Sequence, residues 1–313
     1  MTFEGELFFS HLNEVRGSPA LARLLDSAFK AQNYVQSFPH IFSSQSSAQI
    51  FAGRDRQQNL LAVCAVDTEV WSEPHFLRGA CLGSVAVEPA CQGKGVGRRF
   101  LSWVVDEVRQ QARHDFIYLF SDQPEFYESL GFIRIGEEIL CEPLLQELHH
   151  GSRRIVFRPP VLTQHLNEHE ILRLWPAFES GRRTGESHSS FSKFQLAASI
   201  PNMIVSWIED EGKRIVGGCF VGKGIDFQGV AHSFFAESDE FLRHFWEEFI
   251  VHLGPQVCNL QVAGGMWSGV LSPFLKKKSA QHLCLVYEFA NVKNHVQEFL
   301  HGGRVYPRAL FSS

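Results

Sequence analysis

Cys81-Leu82-Gly83-Ser84-Val85-Ala86-Val87-Glu88-Pro89 runs into Gln92-Gly93-Lys94-Gly95-Val96-Gly97-Arg98-Arg99, and the way these pieces join decides the fold. The first piece is an apolar run closed by a proline turn, the pattern of a buried strand. Behind the second, Phe100, Leu101, Val104, Val105 and Val108 recur at helical spacing. The order is therefore strand, glycine loop, helix. Glycines let the backbone turn and let a ligand approach closely. A helix starting near Gly95 offers unpaired N–H groups and the positive end of its dipole, to which Lys94, Arg98 and Arg99 add charge. A pyrophosphate suits such a loop. It is not a P-loop, because Arg98 follows the last glycine where Lys-Ser/Thr is needed. The dinucleotide fingerprint needs another glycine spacing and an acidic residue after the next strand.

The residues beyond the helix extend the pattern. Phe116-Ile117-Tyr118-Leu119-Phe120 reads as a second buried strand, and Ser121-Asp122-Gln123-Pro124 as a turn into a helix. Phe126-Tyr127-Glu128-Ser129-Leu130-Gly131-Phe132 is then a short helix stopped by glycine. These residues resemble the GNAT acyltransferase superfamily. Its loop pattern, Gln/Arg-x-x-Gly-x-Gly/Ala, is met by Gln92, Gly95 and Gly97. Its strand-end turn is met by Val87-Glu88-Pro89, and its later Phe-Tyr-x-x-x-Gly-Phe by Phe126, Tyr127, Gly131 and Phe132.

The resemblance implies an N-acetyltransferase with acetyl-CoA as co-substrate, an amine as acceptor and no metal. Gln92, Gly93, Lys94, Gly95, Val96, Gly97 and Arg98 would hold the pyrophosphate, and Val85, Ala86 and Val87 the pantetheine arm. An amide of that strand would stabilise the oxyanion. Tyr127 would protonate the leaving thiolate. Many members place a carboxylate on the central strand before the loop, but Ala80-Cys81-Leu82-Gly83-Ser84 has none. Glu73 and His75 upstream, water, or a residue of the second half are the alternatives for the base. Cys81 reads as a small buried apolar residue, because no activating partner is apparent. Two other readings stay open: an acyl-CoA sensor without turnover, and an interaction scaffold, which the 28 phenylalanines would suit.

The whole chain bounds these readings. Its 313 residues suit two domains, and 44% hydrophobic residues supply real cores. A net charge of -5 gives no reason to expect nucleic-acid binding. Lys276-Lys277-Lys278 reads as a solvated helix end. No apolar run is long enough to span a membrane, and the acidic start Met1–Glu6 lacks a signal peptide's features. Seven scattered cysteines without a Cys-x-x-Cys pair suggest neither zinc nor disulfides, so a reducing cytoplasm is expected. His165 and His169 share a helix face but lack further ligands.

Taken in order, Leu7–Phe29 reads as helix, then Ile50–Gly53 and Leu60–Val66 as a hairpin. The central stretch follows, then strands at Ile133–Leu140 and Arg153–Phe157. The fold class is α/β (α+β), a mixed and mostly antiparallel sheet flanked by helices. Arg158-Pro159-Pro160 reads as a linker dividing an acyltransferase domain, 1–158, from a second domain, 159–313.

The second half repeats the order: helix at Ile171–Trp175, strands at Met203–Ile208 and Arg214–Val221 around Glu209-Asp210-Glu211-Gly212, and a strand at Val230–Ala236. A helix from Phe241, a strand to Val262, a helix at Pro273–Lys277, a strand at Leu283–Phe289 and a helix at Val292–Leu300 complete it. A tandem duplication is expected. The second copy has Glu237-Ser238-Asp239-Glu240 where the first has its glycine loop, which would repel a pyrophosphate. Its role would be to shape the substrate site or to form an interface. One chain would then carry the contacts of a dimer and work as a monomer.

Overall fold

The structure is a computed structural model that describes residues 5–11, 16–72, 76–144, 155–182, 186–253, 261–263 and 268–289. The first repeat runs β1 (Phe8–His11), α1 (Pro19–Phe29), α2 (Tyr34–Ser37), α3 (Pro39–Phe42), β2 (Gln49–Arg54), β3 (Leu60–Trp71), β4 (Leu77–Val87), α4 (Val96–Gln110), β5 (Phe116–Ser121), α5 (Pro124–Glu128) and β6 (Ile133–Pro143). The second runs β7 (Val156–Leu162), α6 (Glu168–Ser180), α7 (Phe191–Ala198), β8 (Ile204–Glu209), β9 (Ile215–Lys223), β10 (Asp226–Ala236), α8 (Asp239–Leu253), β11 (Gln261–Ala263), α9 (Ser268–Leu271) and β12 (Leu275–Glu288).

The strands of each unit follow one pattern. In the first, β1, β2, β3 and β4 are successively antiparallel, β4 and β5 are parallel, and β5 is antiparallel to β12. In the second, β7, β8, β9 and β10 are antiparallel, β10 and β11 are parallel, and β11 is antiparallel to β6. The duplication is thus a duplication of topology. It has a twist: the sixth strand of each sheet comes from the other repeat. Leu283–Glu288 pairs with Ser121–Phe116, and Leu140–Cys141 with Ala263–Val262.

As compact units, the described residues up to Gly136 group with 283–289, and the described residues from 137 to 282 form the second unit. Two domains were expected at 1–158 and 159–313; among the described residues, 137–144 and 155–158 instead join the second unit and 283–289 the first. Strand pairing decides this, since a long strand follows its hydrogen-bond partners rather than its place in sequence.

Several local expectations change for similar reasons. Residues 8–11 pair with β2 and form an edge strand, so the first helix starts only at Pro19, where the Ser18 hydroxyl caps Leu21 N–H at 3.2 Å. Pro159 and Pro160 lie inside β7 rather than in a linker. They sit on the outermost strand of the sheet order, where the register shifts between Arg158 and Val161, the place where a strand tolerates missing donors. Lys276–Lys278 belongs to β12 and not to a helix end. The expected helix at Val292–Leu300 lies outside the described residues, as do Glu73 and His75.

The first core lies between α4 and its sheet. Val96, Phe100, Leu101, Val104, Val105 and Val108 of α4 pack with Phe51, Ala62, Cys64, Val66, Ala80, Leu82, Ile117 and Leu119. The 3.6-residue spacing read from the sequence is this buried stripe, and each large side chain in it contributes about 1.5–3 kcal/mol. The packing fixes the start of α4 against the end of β4. A Cβ at Gly97 would stand 3.2 Å from Val87 Cγ2 and 3.5 Å from Phe126 Cζ.

Candidate active site

Two irregularities of β4 make room for a ligand. The first is a bulge. Val63 lies opposite Ala86 and Ala65 opposite Gly83, so Cys64 alone faces both Ser84 and Val85. Ser84 takes φ +50, in the left-handed region. The second is a parting of strands. β4 and β5 are paired only from Gly79–Phe116 to Cys81–Tyr118. Beyond Cys81, β4 continues to Val87 with no registered partner on its β5 side among the described residues, which leaves a gap in the pairing at Leu82–Val87.

The glycine loop stands at the end of that gap. It is tied to the strands it leaves: Glu88 N–H donates to Leu61 O at 2.8 Å, and the Gln92 amide donates to Val87 O at 3.0 Å. Gly93 and Gly95 have φ +70 and +85, where a side chain would be strained. A Cβ on either would meet nothing within 4 Å, so backbone conformation and an open approach explain these glycines. Gly95 caps α4 without a side chain, and no acidic residue occupies the first turn. Among the described residues, the N–H groups of Gly93 to Arg98 make no hydrogen bond. Such bare donors at a helix start are a ready anion site.

The cations divide. Lys94 has no ion pair among the described residues. The Arg98 guanidinium donates to Ser129 O at 3.2 Å and to Ser129 Oγ at 2.8 Å, which ties α4 to the turn after α5. Arg98 thus offers the loop its backbone amide, with its side chain already used.

Tyr127 comes from α5 and packs into the α4 core. Its ring lies edge-on to Phe126 at 5.1 Å and to Phe132 at 5.8 Å, within the α4 core cluster. Burial first, then Cys64 and Asp122, push its pKa well above the ordinary tyrosine value. At neutral pH it is a protonated donor. Gly131 ends the segment at φ +95, and its missing Cβ leaves room for Tyr287 of β12, 3.1 Å from where that Cβ would stand.

Sequence reasoning missed a polar group on the opposite face of the sheet. Asp67 and Glu69 on β3 are buried there, with Asp67 in register with Cys81 and Cys81 with Tyr118. Burial, then Cys81 and Glu69, push the Tyr118 pKa up. Asp67 attracts the Arg16 guanidinium, which donates to the carbonyls of Ser43 at 2.7 Å and Ser46 at 2.8 Å. Buried carboxylates beside β4 are thus supplied by the neighbouring strand β3. Their sequence signal was the alternation Asp67-Thr68-Glu69 inside an apolar strand. Cys81 is buried as expected.

The second unit keeps the bulge and loses the loop. His232 lies opposite Phe220 and Phe235 opposite Gly218, so Cys219 faces Ser233 and Phe234, and Ser233 has φ +49. The α8 helix then begins at Asp239, directly after Glu237-Ser238. Ser238 Oγ accepts Phe241 N–H at 3.2 Å, and Glu237 pairs with Arg214 at 3.2 Å. That helix start is capped and acidic. His165 and His169 are not part of any metal-binding group among the described residues.

Residues 47–134 match the family model described as an acetyltransferase (GNAT) domain. No curated protein matches the sequence. Solved structures do. A conserved protein from Enterococcus faecalis V583, described as "Probable N-Acyltransferase", is 10% identical over 90% of this chain and 73% of its own, with a TM-score of 0.68. A GCN5-related N-acetyltransferase from Kribbella flavida is 15% identical over 91% of this chain and 71% of its own, TM-score 0.63. A tandem GNAT protein from the clavulanic acid biosynthesis pathway is 8% identical over 90% of this chain and 98% of its own, TM-score 0.54. At these identities the likeness is one of fold.

Proposed function

We propose that this chain, which carries a GNAT domain at residues 47–134, is an N-acyltransferase that moves an acetyl group from acetyl-CoA to a primary amine. The observation that carries the reading is one juxtaposition. A bulged strand parts from its neighbour, and the bare amides of Gly93–Arg98 stand at the end of the gap. A coenzyme with an extended amide arm and a pyrophosphate matches that shape and charge.

In this reading the pyrophosphate sits on the amides of Gly93, Lys94, Gly95, Val96, Gly97 and Arg98, with Gln92 tying the loop to Val87 and Lys94 adding charge. The backbone of Val85, Ala86 and Val87 pairs with the pantetheine arm as a missing strand would. The amine nitrogen attacks the thioester carbonyl, the C–N bond forms and the carbonyl oxygen takes the charge. An amide of the bulge stabilises that oxyanion. Collapse breaks the C–S bond, and Tyr127 gives its proton to the departing thiolate. The amine's own proton leaves to a base or to water. The second unit, without a pyrophosphate loop, shapes the acceptor side or serves an interface. One coenzyme is then bound per chain, and the chain works as a cytoplasmic monomer.

The test is thiol release from acetyl-CoA in the presence of a panel of small amines and peptides. Release that depends on the amine, with an equal amount of acetylated product, supports the reading. Binding of acetyl-CoA with no transfer to any amine would replace it with a sensor.

A further inference from the structure

Ser84 holds a backbone conformation that side chains make costly, although Gly83 stands beside it. Such a residue persists only where its surroundings fix it. Ser84 Oγ lies 3.2 Å from the Tyr34 hydroxyl, and the two residues are buried, at 7% and 6% exposure. Tyr34 is itself fixed. Its N–H donates to Asp26 Oδ1 of α1 at 2.8 Å. Its ring stacks on Phe29 at 4.5 Å and leans on Phe38 at 4.7 Å. A helical segment far away in sequence therefore reaches the strained point of β4. In the second unit the matching Ser233 lies 3.0 Å from the adjacent His232 Nδ1. In the first unit the serine meets an aromatic hydroxyl of a separate element, and that unit carries the open loop.

We infer that Tyr34 is a positioning residue for acyl transfer: through its hydrogen bond with Ser84 it fixes the bulge so that the Ser84–Val85 amide faces the thioester carbonyl. The inference rests on the acetyl-CoA reading above. It separates two parts of the coenzyme, since the pyrophosphate loop holds the coenzyme and the bulge senses its acyl group.

The experiment compares CoA with acetyl-CoA by calorimetry, in the parent and in Tyr34→Phe, which keeps the ring and its stacking. The parent is expected to prefer acetyl-CoA by about fivefold, the value of one neutral hydrogen bond to the carbonyl. Tyr34→Phe is expected to bind CoA within about twofold of the parent and to lose that preference. Ser84→Ala should do the same, and the double variant should lose nothing more, because the Tyr34–Ser84 bond is already lost in each single variant. In transfer assays kcat should fall by about tenfold, and KM for acetyl-CoA should rise by up to about fivefold, in step with the lost preference. An unchanged preference in Tyr34→Phe, losses that multiply in the double variant, or an equal loss of CoA and acetyl-CoA affinity would overturn the inference. So would a parent that binds the two ligands alike. A parent that binds neither would overturn the acetyl-CoA reading and this inference with it.

Discussion

Replacing Tyr127 with phenylalanine tests the chemistry with little disturbance to the fold. The hydroxyl makes no hydrogen bond among the described residues, and the contacts that hold the ring are aromatic edges at 5.1 and 5.8 Å. Phenylalanine keeps those edges and removes only the hydroxyl. The stability change is therefore expected to stay within about 1 kcal/mol. The rate should behave differently. A general acid contributes about 10²–10⁴ in rate. A thiolate leaves readily, its conjugate thiol having a pKa of about 8.5, so the lower end applies: about 10²-fold in kcat, or roughly 2.7 kcal/mol. Because burial holds the Tyr127 proton well beyond the neutral range, its ionisation should put no downturn in the parent's rate between pH 7 and pH 9, roughly the range over which the test applies. Steady-state thiol release and thermal unfolding, measured on both proteins, decide the matter. A kcat within about twofold of the parent would refute the role and leave Tyr127 as packing. A rate loss matched by a lower melting temperature would point to damage to the core.

Two further outcomes concern the second unit. His232 is fully buried, with Nε2 2.9 Å from Gly222 O; burial foremost lowers its pKa from 6.5 to about 4. The unfolded chain then binds the proton first. Stability is complete above pH 6.5 and falls as pH drops toward 4, by about 3 kcal/mol, and His232→Gln should flatten the melting temperature over that window. Glu209 receives Arg158, Arg173 and Trp207 Nε1, each at 3.0 Å, and these hydrogen bonds outweigh the burial that would raise its pKa. Glu209→Gln is expected to cost about 2 kcal/mol in denaturant unfolding, since the two arginines can regain water; an unchanged midpoint would refute that role.

What the sequence carried openly was local. The apolar stripe from Val96 to Val108 appears as the buried face of α4, and the glycines at 93 and 95 take the positive φ angles that their loop requires. The Glu209–Gly212 turn joins β8 to β9 as read. What stayed hidden depends on partners far along the chain. Nothing in Phe8–His11 announces a strand until β2 is beside it. The bulges at Ser84 and Ser233 follow from how β3 meets β4 and β9 meets β10, and serine at positive φ has no sequence signature. Tyr34 carries no signal in the sequence; only α2 brings it to Ser84. The exchange of closing strands is the longest-range feature, since β5 finds its partner at Leu283–Glu288.

The most direct measurement is calorimetric titration of acetyl-CoA into the parent and into Gly95→Glu. At φ +85, with an open approach above it, glutamate would bring strain and a negative charge to the anion site. One coenzyme bound per parent chain and none bound by the variant, with both proteins still folded, is the expected result. Equal binding by the two would move the coenzyme away from the Gly93–Arg98 loop, and no binding by the parent would contradict the account.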